Sequence, residues 1–472
     1  QYHDLVWDTP LRATNFSNGL LPPLGPYDPS GYSNGNGPAQ GRMALAPDSS
    51  MNVVSAMGLY KMPSHSTLNA AVSFTEMKQN DTLIPWTINP LITTPSVYAL
   101  FPSLAKLERA TAEAEVRGLN ALFNFTTRPT RRFAFTMKYR YNSHDNRTPA
   151  FDAKEYVRFD AVPEETGGET EQFDTKRRTL DVNASFNVAP YTWLRVGYGY
   201  DAFNRTGRAF SDMADDIVRV SIDTTRNQYV TFRGSVEHIA RTGSGFSEAS
   251  IEDGGAQPGL RFYDEADRDR DRATALVILT PVSMMDVTLS YARGKDVYKG
   301  AGHEFGLLDN TNDAYNVGVN ANPMDNVVFG ANYGRETFKS LQTSRNANPP
   351  CALNVPPCAA GTYDSWFDVN RTWSLNNDET VNNFELYLDL RKIMAKTDLR
   401  LSYDYSDSDN AYIHSGPRIQ ELSTNTFLTV GDAKPCSPAT LTSCFEAIPN
   451  VTNKRHRVAA DLKYHVRPKV GI

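Results

Sequence analysis

No run of about eighteen apolar residues occurs anywhere in this 472-residue chain, so no α-helix of it is built to cross a membrane. Cysteine is scarce: there are four, and none stands in C-x-x-C or C-x-x-C-H spacing. Covalent haem attachment and a zinc ribbon are thereby excluded for the chain itself. Neither sign of charge dominates. The formal net charge is −6, and Lys and Arg are scattered among Asp and Glu without forming a basic stripe, which argues against nucleic acid as a partner. No Pro-rich or Gly/Ser-rich linker divides the chain, so a single domain over residues 1–472 is expected where the length would suggest several. An outer-membrane enzyme would need a nucleophile beside a base, and no coherent Ser/His/Asp arrangement is found.

What the chain has is alternation. Residues 397–405 put Leu399, Leu401, Tyr403 and Tyr405 on one face of a strand and Asp398, Arg400, Ser402 and Asp404 on the other. About fifteen segments repeat this pattern, with a partial one at Tyr2–Trp7. Turns of about four residues alternate with loops of roughly ten to forty, the mark of an outer-membrane barrel with short periplasmic turns and long external loops. The predicted fold is all-β, a transmembrane antiparallel up-and-down β-barrel in outer-membrane lipid.

The first hairpin is predicted over Asn52–Lys61 and Thr67–Gln79, the second over Glu115–Thr127 and Arg132–Asn142, and the third over Thr179–Val188 and Leu194–Asp201. Later pairs join at Arg226–Gln228, Thr280–Ser283, Asn322–Asp325 and Lys392–Lys396. Proline occupies five connections, as Pro63, Pro129, Pro190, Pro281 and Pro323. Its fixed φ suits a turn, and there its missing N–H breaks no ladder bond. Long pieces are expected at about 9–51, 79–114, 143–174, 243–266, 298–312, 341–377 and 409–452, with a short helix in 96–116 capped near Ser103. The pairs Cys351 with Cys358 and Cys436 with Cys444 fall in two of these loops and suggest local disulfides made in an oxidising compartment.

Charged residues at inward positions mark the candidate contact surface. Lys138, Arg140, Arg195, Arg233, Glu385, Asp389, Arg400 and Asp404 are read as lumen charges, and Asp267, Arg268, Asp269 and Arg270 open the run Asp267–Arg272. Six charges at that spacing cannot lie at lipid depth, where Arg costs about 2–4 kcal/mol near the midplane. They form either a docking or sealing network or a ladder of cross-strand ion pairs on a rim, with the ladder the simpler account.

Four stretches stand out from the strand background: Ala39–Asp48 (AQGRMALAPD), Glu76–Asp81 (EMKQND), Tyr139–Thr148 (YRYNSHDNRT) and Leu260–Arg272 (LRFYDEADRDRDR). Together, and in this order along nearly the whole chain, they resemble the barrel of the MtrB/PioB family, the porin component of porin–cytochrome electron conduits. The resemblance implies a barrel that sheathes a periplasmic multihaem c-type cytochrome, so that electrons cross the outer membrane along the partner's haems. An extracellular multihaem cytochrome is implied as a further partner. On this reading the chain binds no cofactor, and haem c is carried by the partner cytochrome. The implied barrel has about twenty-six strands, more than the roughly sixteen countable here. With no signal peptide at Gln1 and a turn-like ending at Arg467–Ile472, both ends are expected to be missing from this sequence. A diffusion porin or substrate transporter would share the strands, the charged inner faces and the loops, and stays open as the alternative.

Overall fold

The computed structural model describes residues 2–6, 40–44, 47–83, 109–153, 156–158, 162–164, 168–227, 229–246, 259–300, 305–345, 372–394, 396–415, 418–421, 426–428, 449–467 and 470–471. Fifteen long strands make the architecture: β1 Ser49–Met62, β2 Ser66–Gln79, β3 Ala114–Thr130, β4 Phe133–Asn146, β5 Thr175–Ala189, β6 Thr192–Arg205, β7 Phe210–Asn227 and β8 Val230–Phe246. They continue as β9 Asp267–Val282, β10 Met285–Lys299, β11 Phe305–Met324, β12 Val327–Arg345, β13 Thr372–Met394, β14 Thr397–Ser415 and β15 Val451–Arg467. Each pairs antiparallel with the next in chain order, a pure meander. Val470–Gly471 returns antiparallel on the end of β15. The strand order is that of a barrel, yet among the described residues no pairing register joins β1 to β15, and the curled sheet is open at this seam. Exposure agrees with the open seam. β1 is exposed at nearly every position on both faces, whereas β13, inside the sheet, is mostly half-buried.

Parity sorts the side chains. Leu401 pairs with Leu388 and Ala460, and Tyr403 with Leu386 and Val458. Val287, Leu289 and Tyr291 of β10 likewise meet Val319, Val317 and Tyr315 of β11. These residues form a continuous outward apolar band that stays uncovered by protein, with Leu289 38%, Val317 43% and Tyr315 50% exposed. A soluble sheet would bury such a face; in a barrel it meets hydrocarbon. Tyrosines border the band on the long-loop side, each tied diagonally to the next strand. Tyr198 donates to Asp216 at 2.5 Å, Tyr291 to Asp313 at 2.9 Å and Tyr333 to Asn382 at 3.0 Å. Beyond them the outward positions become charged, as in Arg117 with Glu76 (3.5 Å) and Arg293 with Asp313 (3.4 Å).

Several expectations need correction. Strands extend beyond Pro129, Pro281 and Pro323, and the turns tighten to the two residues after each strand end. Each proline lies where the register slips, between Thr127 and Thr130, Leu279 and Val282, and Ala321 and Met324. A bulge releases the N–H that proline lacks, so the ladder can run on past it. Arg132, predicted to start a strand, falls in the turn. Of the helix expected over 96–116, residues up to 108 lie outside the described residues, and the rest is not helical: Thr111 bridges to Thr82 and Ala114 begins β3. The piece 298–312 is mostly strand, because β11 starts at Phe305, and β6 joins β7 through only residues 206–209. Tyr2–Val6 does form a strand, paired with Gln40–Ala44 apart from the main sheet.

The alternation predicts an asymmetry between neighbouring residues of β10. Leu289→Arg should cost about 2–4 kcal/mol of folding stability in lipid vesicles, and Ser290→Arg, facing the interior, very little. Urea unfolding followed by tryptophan fluorescence decides, and equal costs at the two positions would refute the assigned faces.

Candidate functional site

The inner face carries the chemistry. Lys138 and Arg140 of β4, Arg195 of β6, Arg233 of β8, Arg268 and Arg270 of β9, Glu385 and Asp389 of β13, and Arg400 and Asp404 of β14 all have the parity opposite to the apolar band. Asp267 and Asp269 have the other parity, shared with Ala273 and Val277. Asp269 meets Lys299 at 2.6 Å, its neighbour Asp271 meets His238 Nδ1 at 2.7 Å, and Asp267 accepts the Gly243 N–H at 2.7 Å. The run Asp267–Arg272 thus splits cleanly, aspartates outward and arginines inward.

Some inner charges are compensated. Arg233 pairs with Asp223 at 3.1 Å, Arg219 bridges Asp181 at 3.0 Å and Glu237 at 2.5 Å, and Arg400 reaches Asp389 at 3.6 Å while lying over the Tyr387 ring. Glu385 accepts a bond from Asn332 at 3.1 Å. Lys138, Arg140, Arg195 and Asp404 have no ion pair among the described residues. Between the charged stretches, β10–β12 present amides folded flat. Asn312 lies over Gly294 and Asn332 over Gly318, leaving no room for a Cβ on either glycine. Tyr387 covers Gly330 in the same manner and donates to Asn320 at 2.6 Å.

At the long-loop end, residues 259–266 fold against the inner face as a clasp. Glu265, 1% exposed, receives the Arg208 guanidinium, with Arg205 at 3.4 Å. Asp264 takes Arg208 at 2.6 Å and Arg205 at 3.3 Å, and its carbonyl accepts from Arg241 at 3.2 Å. Arg241 in turn holds Asp215 at 2.7 Å, Arg268 lies 3.7 Å from that carboxylate, and Arg270 pairs with Asp296 at 2.6 Å. Arg261 rests on the rings of Phe210 and Phe246, 4.6 and 4.4 Å from their centres. The small buried core of the described residues collects here: Ala209, Phe210, Met213, Ile239, Ala266 and Phe305. Leu260–Arg261 then pairs in parallel with Phe305–Gly306. Gly306 has φ 140° and the Arg261 carbonyl against it, a position that no side chain could share.

Sequence reading missed Arg205, Arg208, Asp215, Arg219, Arg241, Glu265 and Asp296. Inward parity marked the strand members among them, but their partners lie on other strands or in the clasp. The four cysteines lie outside the described residues, as does Gly31-Tyr32-Ser33-Asn34-Gly35, a G-x-S-x-G string that the sequence reading passed over. Its flanks are rich in Pro, Gly and Asn and lack the strand-to-helix pattern that such a nucleophile requires. Among the described residues no group of three or more His, Cys, Asp or Glu side chains could hold a metal ion.

The family-like stretches converge on this same end: Asp48 N–H donates to Asp81 at 2.8 Å, Asn146 N–H to Asp174 at 2.6 Å, and the clasp completes the rim. The family described as "Putative outer membrane beta-barrel porin, MtrB/PioB" matches residues 3–472. The chain belongs to the MtrB/PioB family. It is an outer-membrane protein with a porin-like β-barrel. "Outer membrane protein MtrB" of Shewanella baltica (strain OS185) is 22% identical over 352 residues, 74% of this chain and 46% of that relative. The chain therefore spans about half the length of the curated relative that it matches. Similar solved structures include the outer-membrane transporter YddB from Escherichia coli, with 10% identity and a TM-score of 0.39 over 89% of this chain and 62% of that one. The FrpB iron transporter from Neisseria meningitidis matches with 9% identity and a TM-score of 0.37 over 75% and 58%. Both likenesses are too loose to carry an argument.

Glu265→Gln would remove one of the two carboxylates that hold Arg205 and Arg208 and leave them Asp264 alone, a loss of about 1–3 kcal/mol locally. The clasp should then open, seen as faster trypsin cleavage after Arg261 in intact outer membranes. Unchanged cleavage would mean that the ion pairs do not hold it.

Proposed function

We propose that this barrel sheathes and positions a periplasmic multihaem c-type cytochrome, so that electrons cross the outer membrane inside it for extracellular electron transfer. The match to the MtrB/PioB family along residues 3–472 carries this reading. The inner wall supports it, because flat Asn/Gly surfaces on β10–β12 admit the close approach of a folded protein. In this role the barrel contributes lipid anchorage, exclusion of water and a fixed depth, while the redox chemistry resides in the partner's haems. The chain itself would hold no haem and catalyse no reaction. The external loops and the clasp would face a second, extracellular multihaem cytochrome.

A diffusion porin is the competing account, favoured by inward charges such as Lys138 and Arg140 that a water-filled channel would also display. Purification from outer membranes of cells that also express a periplasmic multihaem c-type cytochrome separates the two. Near-stoichiometric haem on a co-purifying protein, and small conductance of that complex in planar bilayers, is expected. A large stable channel with the cytochrome present would favour the porin, and haem bound tightly to the isolated chain would refute the sleeve.

A further inference from the structure

The uncompensated charges of the inner wall on β4–β9 and on β12–β13 are sorted by sign, whereas β15 adds inward Arg455 and Arg457 outside these two arcs. On β4–β9 they are cations: Lys138, Arg140, Arg195 and Arg272 face inward, and none has an ion pair among the described residues. Every inward carboxylate of β5–β8 is already engaged: Asp181 and Glu237 by Arg219, Asp201 by Arg177, Asp215 by Arg241 and Asp223 by Arg233. On β12 and β13 the sign reverses. Glu336 and Glu379 face inward with no ion pair among the described residues, and Glu385 has only the Asn332 amide. Asp404 adds to this arc, although Arg457 of β15 stands opposite it in register. Arg391 is the exception in sign on β13, and it lies beyond the last residue paired with β12, where the register with β14 slips between Leu390 and Met394. The two arcs are separated by β11, whose inward positions Asn310, Asn312, Ala314, Asn316, Gly318 and Asn320 carry no charge.

We infer that the inner wall is an orientation key for a folded protein guest, one that turns an acidic face to β4–β9 and a basic face to β12–β13. The inference rests on the proposed sheathing role and adds which way round the guest sits. Charges left unpaired on a low-dielectric wall focus the field inside it. Complementary potentials fix register and orientation more than they add affinity, and misplacing like charges is costly. The neutral arc supplies the hinge line of this field: a guest rotated by half a turn would bring acid against Glu336, Glu379 and Glu385.

The test uses the tagged full chain with the haem-staining protein that co-purifies from outer membranes. Carbodiimide coupling is expected to join Lys138 to carboxylates of that protein, and Glu336, Glu379 or Glu385 to its lysines, on opposite faces of it. The combined inversion Lys138→Glu, Arg140→Glu, Arg195→Glu and Arg272→Glu should lower haem recovered per barrel about tenfold, while heat-modifiable migration on gels shows that the barrel still folds. Cross-links from both arcs to one face of the guest would overturn the inference, and so would full haem recovery by the inverted variant. If no haem protein co-purifies with the unaltered chain, the sheathing role itself fails, and the sorted charges become the transverse field of an open pore.

Discussion

A backbone N–H or C=O inside hydrocarbon has no water to turn to, so each must be satisfied by a neighbouring strand. Everything else in this molecule follows from that obligation. It demands an unbroken meander from β1 to β15, and the pleat of that meander assigns alternate residues to lipid and to the interior. Leu289 and Ser290 differ in chemistry because they differ in parity, and so do Asp269 and Arg270. A sheet of this kind needs no oily centre, which is why most of the few buried apolar side chains among the described residues gather where the clasp lies on the inner face.

The interior is therefore free to be specialised. Its charges fall into engaged pairs, which stiffen the wall, and unengaged ones, which are available to whatever occupies it. Gly294, Gly318 and Gly330 matter for what they permit: each lets an Asn or Tyr from the next strand lie flat, and the wall stays smooth there. The clasp adds a third element, a loop whose carboxylates hold Arg205 and Arg208 and whose Asp264 carbonyl accepts from Arg241.

Much of this was legible from residue order alone. Period-two alternation located the long strands, proline marked the turn side, and four short stretches pointed to the MtrB/PioB family. What stayed hidden has physical causes. Pro129, Pro281 and Pro323 read as turn residues, but a bulge absorbs a missing donor without ending the strand. Ala-rich composition near 105–116 favoured a helix locally, and pairing with β2 overrode it from Ala114 onward. The clasp could not be read because its bonds span more than fifty residues, as between Arg208 and Glu265. The sign of Asp267 to Arg272 was visible, but which sign faced inward depended on the register with β8.

The parallel contact between Leu260–Arg261 and Phe305–Gly306 also has a consequence for the order of assembly. Antiparallel neighbours can zip together as soon as the chain doubles back, whereas this contact must wait until β9 and β10 have been laid down and β11 has begun. That stretch of the long-loop opening consequently takes shape only after the strands beneath it, and a defect at Gly306 would leave an otherwise finished wall with an unfinished rim.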